Sequence, residues 1–215
     1  MTNTSKGRAR KGSKFWMQTL VNLDKGTALA KEISNEDKAI DDIQWFSPLA
    51  ESNYEEYKLN FAKASKELNM EAEDFDFWPN NQPQWDAIGK SGNTIILVEA
   101  KAHMSETKSK LSATSQESIN LITKAMKDTF NKLNSTGDFN KWVNTYYQLG
   151  NRLTFLEKLK SKGYQVKLIL LNIVDDPTHI KTTCKEWEQY NNKVFTEMIG
   201  NANTPEDVIV VNFQV

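Results

Sequence analysis

Thiol and imidazole side chains are nearly missing from this chain: its 215 residues include one cysteine, Cys184, and two histidines, His103 and His179. A single cysteine forms no internal disulfide, and a thiolate zinc site is excluded by count. Two histidines fall short of most all-protein zinc sites. Any metal used here is therefore expected to be a hard, oxygen-liganded cation, Mg²⁺ or Mn²⁺. Long apolar runs are lacking too; none approaches the ~18 residues of a bilayer span. The basic N-terminal residues are not followed by an apolar stretch and a small-residue cleavage site, so no secretory signal is read. These features lead us to expect a cytoplasmic protein with no membrane partner. Charge of one sign is not in excess either, since 27 basic and 28 acidic residues leave a net charge of −1. Basic charge is instead local. Lys6, Arg8, Arg10, Lys11 and Lys14, mixed with Gly and Ser, predict a solvated, flexible tail over 1–14, with a single domain over 15–215.

Hydrophobic periodicity organises the rest. Residues 15–45 read as short helical pieces, with Phe15, Trp16, Leu20 and Val21 as apolar contacts. Ser47-Pro48 suits a helix start, and Tyr54, Tyr57, Phe61, Ala64 and Leu68 predict one helix running to about Asn69. Two strands follow, at 84–90 and 94–103, the second with the core Ile95-Ile96-Leu97-Val98. Thr114 with Glu117 forms a capping-box pattern for a helix through Leu133. Asp138 can cap a longer helix to about Lys162, with Trp142, Val143, Tyr146, Leu149, Leu153 and Leu156 as its buried stripe. A mostly apolar strand at 166–174, a helix at about 180–199 and a strand at 208–213 complete the pattern. The order predicts an α/β domain with a central mixed sheet flanked by helices.

The chemistry concentrates on the first hairpin. Gly92-Asn93 suits a two-residue turn in which Gly supplies the positive φ. With Ser91 facing Thr94, Asp86 falls opposite Glu99 on one sheet face, ~5 Å apart at Cβ. Lys101, two residues on, projects from that face as well. Facing carboxylates repel unless something offsets their charge, and a divalent cation between them is the simplest compensation. Lys101 is placed to orient or help deprotonate an attacking water, or to stabilise charge on a phosphate. His103 shares the same face if the strand lasts that far, and is expected to be a surface or hydrogen-bonding residue.

Gln84-Trp85-Asp86, then twelve residues, then Glu99-Ala100-Lys101 resembles the signature of the PD-(D/E)XK nuclease superfamily. The chain departs from that pattern in having Trp85, not proline, before Asp86; Pro83 stands three residues upstream. The resemblance implies a restriction-endonuclease-like core, with an N-terminal helical segment and a C-terminal helix-strand extension. It implies Mg²⁺ or Mn²⁺ bound by Asp86 and Glu99, with Lys101 assisting the water that cleaves a phosphodiester, DNA being the expected substrate. Family members often add an acidic residue from the first core helix. Glu51, Glu55 and Glu56 are available for that role, and Glu56 is preferred. The long helix would flank such a site, offering Tyr147, Gln148, Asn151 and Arg152 as substrate-binding groups, or else an ordinary solvated face. Phe75, Phe77, Trp78 and Trp85 suit core packing better than base stacking. The near-neutral charge keeps two alternatives in view: an inactive nucleic-acid-binding module, and a small-molecule enzyme or assembly protein. The sequence sets no oligomeric state and leaves a homodimer open.

Overall fold

A turn made where expected sets the centre of the fold. Gly92 adopts φ 56°, and the hairpin pairs β2 (Ala87–Ser91) with β3 (Thr94–Lys101) in the register that puts Ser91 against Thr94 and Ala87 against Val98. The computed structural model describes residues 7–215. Of the basic stretch read as a tail, residues 1–6 lie outside that range; from Gly7 the chain is held in place. Gly7 N–H donates to Asn53 O at 2.8 Å, Ala9 N–H to Gln18 Oε1 at 2.8 Å, and Lys14 already lies in helix α1 (Gly12–Asn22).

Five strands form one open mixed sheet in the order β1-β2-β3-β4-β5. β1 (Gln44–Ser47) and β2 run antiparallel, as do β2 and β3, whereas β3, β4 (Val166–Val174) and β5 (Val208–Gln214) are parallel. Side chains alternate across β3 as the period of two requires. Ile96, Val98 and Ala100 join a core under α1 and α2 (Thr27–Glu36), while Ile95 and Leu97 face the opposite core. That second core holds α4 (Gln116–Lys132), α5 (Phe139–Asn144), α6 (Tyr147–Ser161) and α7 (Cys184–Ile199). Glu99 and Lys101, in phase with Ile95 and Leu97, therefore emerge on the α6 side.

Two expectations about helices change. The helix from Pro48 to Asn69 reduces to one short turn at Ala50–Ser52 and α3 (Ala62–Leu68). Gln44–Ser47 instead extends the sheet edge, and Asn53 and Tyr54 take left-handed backbone, which stops a helix there. Residues 55–59 then run alongside the chain before β2, with Trp85 N–H donating to Tyr57 O at 2.9 Å. Of the predicted stripe Tyr57, Ala64 and Leu68 are buried and Phe61 is exposed; Tyr57 is buried with Leu59 at alternate positions, as extended chain rather than helix. The long helix from Asp138 breaks between α5 and α6. Tyr146 leaves helical geometry to bridge Ser109, whose hydroxyl accepts the Gln148 N–H at 2.8 Å. Asp138 and Thr183 cap α5 and α7, while Ser115, one residue after Thr114, caps α4.

Candidate active site

Glu99 sits in the last turn of pleat on β3, with Ala100 buried behind it and its own side chain facing α6. Asp86 lies one residue before β2, where regular pairing stops. Its N–H donates to Val98 O at 3.2 Å, and its Oδ2 accepts the Ala100 N–H at 2.7 Å. The sequence register is thus realised through Ala87, and Asp86 folds its carboxylate back onto β3. Both groups line an open cleft of about 530 Å³ together with Lys101 and Glu56. Tyr147, Gln148, Asn151 and Arg152 of α6 line the same cleft. The eight preferred site residues are therefore brought together, whereas the alternatives Glu51 and Glu55 are not among the lining.

Their detailed placement differs from expectation in two respects. Glu56 reaches the cleft from the extended segment beside Tyr57, not from a helix, and pairs with Lys14 of α1 at 3.2 Å. Glu51 is exposed and is not part of the cleft lining. On α6, Asn151 and Arg152 are each 3% exposed, so this end of the face read as substrate-binding or solvated is buried, while Tyr147 and Gln148 stay partly exposed. Arg152 Nε donates to Glu99 Oε2 at 2.6 Å, and its Nη2 lies 2.5 Å from the same oxygen. Nη2 also donates to Gln84 O at 2.6 Å and Nη1 to Asn151 Oδ1 at 3.0 Å. The guanidinium stacks 4.4 Å from the Trp85 ring centroid. Lys101 Nζ donates to the other Glu99 oxygen, Oε1. Sequence reasoning missed the Arg152 partner of Glu99 because it read Arg152 as facing substrate or solvent.

The charges explain one another. Burial alone would raise the Glu99 carboxyl, but the charges and hydrogen bonds of Arg152 and Lys101 outweigh it and hold the group below its ordinary value. Burial pushes the Asp86 carboxyl up, Glu99 pushes it further, and despite Lys101 it reaches about 7, with Glu56 adding to the repulsion. Burial raises Glu56 as well, against the pull of Lys14. Lys101, although burial opposes its charge, is raised by Glu99 and Asp86 and stays an ammonium. Asp86 is thus the group whose negative charge the protein leaves incompletely balanced.

Among the described residues, no three carboxylate, imidazole or thiolate side chains are arranged to hold a metal ion on their own. Mg²⁺ commonly needs less: one or two carboxylates, with waters and substrate phosphates completing its shell. The unbalanced Asp86 next to Glu99 fits that donor set. Behind Lys101 and Gln148 lies a small cavity of about 50 Å³, bordered by Tyr146, Leu170 and Tyr190, with room for a water or two. A larger groove of about 920 Å³ lies where α1 and α2 meet β1, but its carboxylates, Asp24, Asp41 and Asp42, are all exposed. His103 lies past the end of β3, stacked on His179 at 5.0 Å and paired with Glu106 at 3.3 Å, outside the cleft lining. The aromatic cluster is core: Phe77, Trp78 and Trp85 pack edge-on around Phe155 at 5.0, 5.2 and 6.1 Å.

Fold and site together define an α/β protein with a five-stranded mixed open sheet and a carboxylate–lysine cleft beside its central hairpin. Protein-family profiles, curated proteins and solved structures give no match to the chain. No helix among the described residues is long and apolar enough to cross a membrane.

Proposed function

We propose that the chain is a divalent-metal-dependent nuclease of PD-(D/E)XK, restriction-endonuclease-like type, hydrolysing phosphodiesters in DNA. The observation that carries this reading is the convergence of Asp86, Glu99, Lys101 and Glu56 on one open cleft, with the Asp86 carboxyl raised to about 7 by burial and by Glu99. Asp86 and Glu99 would hold Mg²⁺ or Mn²⁺, and the cation would supply Lewis-acid stabilisation of charge on the scissile phosphate. Lys101, held as an ammonium beside Glu99, acts as a donor that orients the attacking water or stabilises phosphate charge rather than as a resting base. Asp86 accepts a proton readily near neutral pH, and its free oxygen has no hydrogen-bond partner among the described residues. Gln148, Tyr147 and Lys110 line the cleft and remain placed to meet a substrate strand.

The test is cleavage of labelled single- and double-stranded DNA and RNA with Mg²⁺, Mn²⁺ or EDTA. Cation-dependent cutting by the wild type, abolished in Asp86→Asn and Lys101→Met, is expected. A second reading, an inactive nucleic-acid-binding module, draws on the closure of both Glu99 oxygens in ion pairs. Its mark is binding that survives both substitutions, without cutting by the wild type.

A further inference from the structure

Arg152 touches both β3, which carries Glu99, and the segment just before Asp86, and it does so with nearly all of its donors. Two of its N–H groups meet Glu99 Oε2, at 2.6 and 2.5 Å. A third goes to Gln84 O at 2.6 Å, two residues before Asp86, and a fourth to Asn151 Oδ1 at 3.0 Å. One N–H of the guanidinium's five is left. The planar group is further fixed by the Trp85 ring beneath it, 4.4 Å away, and by its own burial at 3% exposure. A fork anchored on three other groups does not follow Glu99; Glu99 follows the fork. Glutamate has three side-chain torsions, so without such a holder its carboxylate would sample several orientations.

We propose that Arg152 is a positioning residue that holds Glu99 and the segment leading to Asp86 in place for a shared divalent cation, instead of a residue that grips the substrate. It ties up Oε2 and leaves Oε1, the oxygen Lys101 now holds, as the one available to a cation shared with Asp86. Lysine in its place keeps the charge but offers a point donor in place of a planar fork, so the two contacts on Oε2 and the one on Gln84 are not all kept. Partners that orient metal ligands in this way commonly change metal affinity 10- to 100-fold when altered.

This inference rests on the reading of the cleft as a cation site, and the experiment separates the two. Full-length wild type, Arg152→Lys and Arg152→Gln are first compared by circular-dichroism melting, then titrated with Mn²⁺ by calorimetry without substrate. Steady-state cleavage of one DNA oligonucleotide follows at several Mn²⁺ concentrations. Arg152→Lys is expected to bind Mn²⁺ about tenfold or more weakly, with Arg152→Gln weaker still. Cleavage by Arg152→Lys should recover towards the wild-type kcat at saturating Mn²⁺, with the KM for DNA unchanged. Wild-type Mn²⁺ affinity in both variants overturns the proposal, as does a raised KM with unchanged metal affinity, which would mark a phosphate grip. Failure of both variants to fold assigns Arg152 to folding alone and also overturns it. Absence of Mn²⁺ binding in the wild type is a different failure, that of the cation site itself.

Discussion

Replacing Asp86 with asparagine should make this protein more stable while destroying the proposed activity. The Asp86 carboxyl rises from 3.8 to about 7 on folding, through burial and repulsion from Glu99. A carboxyl raised in the folded state favours folding fully below its unfolded value and loses that contribution as pH climbs through its folded value. Between about pH 4 and pH 8 the span is worth about 4 kcal/mol, an upper bound for this one group. Asparagine carries no charge at any of these pH values, and its amide oxygen still accepts the Ala100 N–H that Asp86 holds at 2.7 Å. Loss of the charge-assisted character of that bond costs about 1–2 kcal/mol. The net expectation at pH 8 is a gain of about 2 kcal/mol, or a melting temperature about 6 °C higher for a domain of this size. At pH 4.5, where folded Asp86 is already neutral, the gain should shrink below about 1 kcal/mol. Urea unfolding of wild type and Asp86→Asn at both pH values, in EDTA, measures it directly. An Asp86→Asn protein less stable than wild type at pH 8, or a difference independent of pH, would refute the reasoning.

Other outcomes follow from the same geometry. Lys101→Met should lower kcat by about 100-fold or more, since a donor aimed at developing charge is lost. The same variant should bind Mn²⁺ at least as tightly as wild type, because the ammonium that occupies Glu99 Oε1 is gone; calorimetry checks this. Lys110 is a cleft cation with no carboxylate partner among the described residues, so DNA affinity should fall only shallowly with salt, log K against log [salt] sloping about −1 to −2. Gly89→Ala should destabilise the fold by about 1–3 kcal/mol in urea titrations. An added Cβ there meets Ile43 Cγ2 at 2.8 Å and Gln44 O at 2.9 Å, prising β1 from β2.

The parts of the fold written in short-range pattern were legible. Gly92-Asn93 alone specifies the hairpin register, and with it the shared face of Glu99 and Lys101. β4 shows the same, since a mostly apolar run between Gly163 and Asp175, interrupted within the strand only by Lys167 and Asn172, leaves little choice of bounds. What stayed hidden depends on partners distant in sequence. Gln44–Ser47 is too short to announce a strand and becomes one by pairing with β2. Tyr57 fits a helical stripe with Tyr54 and Phe61 and an extended one with Leu59 alike, and left-handed backbone at Asn53 and Tyr54 decides for the second. Tyr146 continues the apolar periodicity of its neighbours, so nothing local marks the break that Ser109 imposes. Asn151 and Arg152 looked solvated because they are polar. They are buried because Glu99, 53 residues away, and Gln84, 68 residues away, supply what water would otherwise supply.

The account turns on whether Asp86 and Glu99 together take a divalent cation. Calorimetric titration of Mn²⁺ at pH 8 into wild type and Asp86→Asn tests this most directly. The expected result is one cation per wild-type chain and no measurable binding to Asp86→Asn in the same concentration range. Equal binding by the two proteins, or none by the wild type, would contradict it.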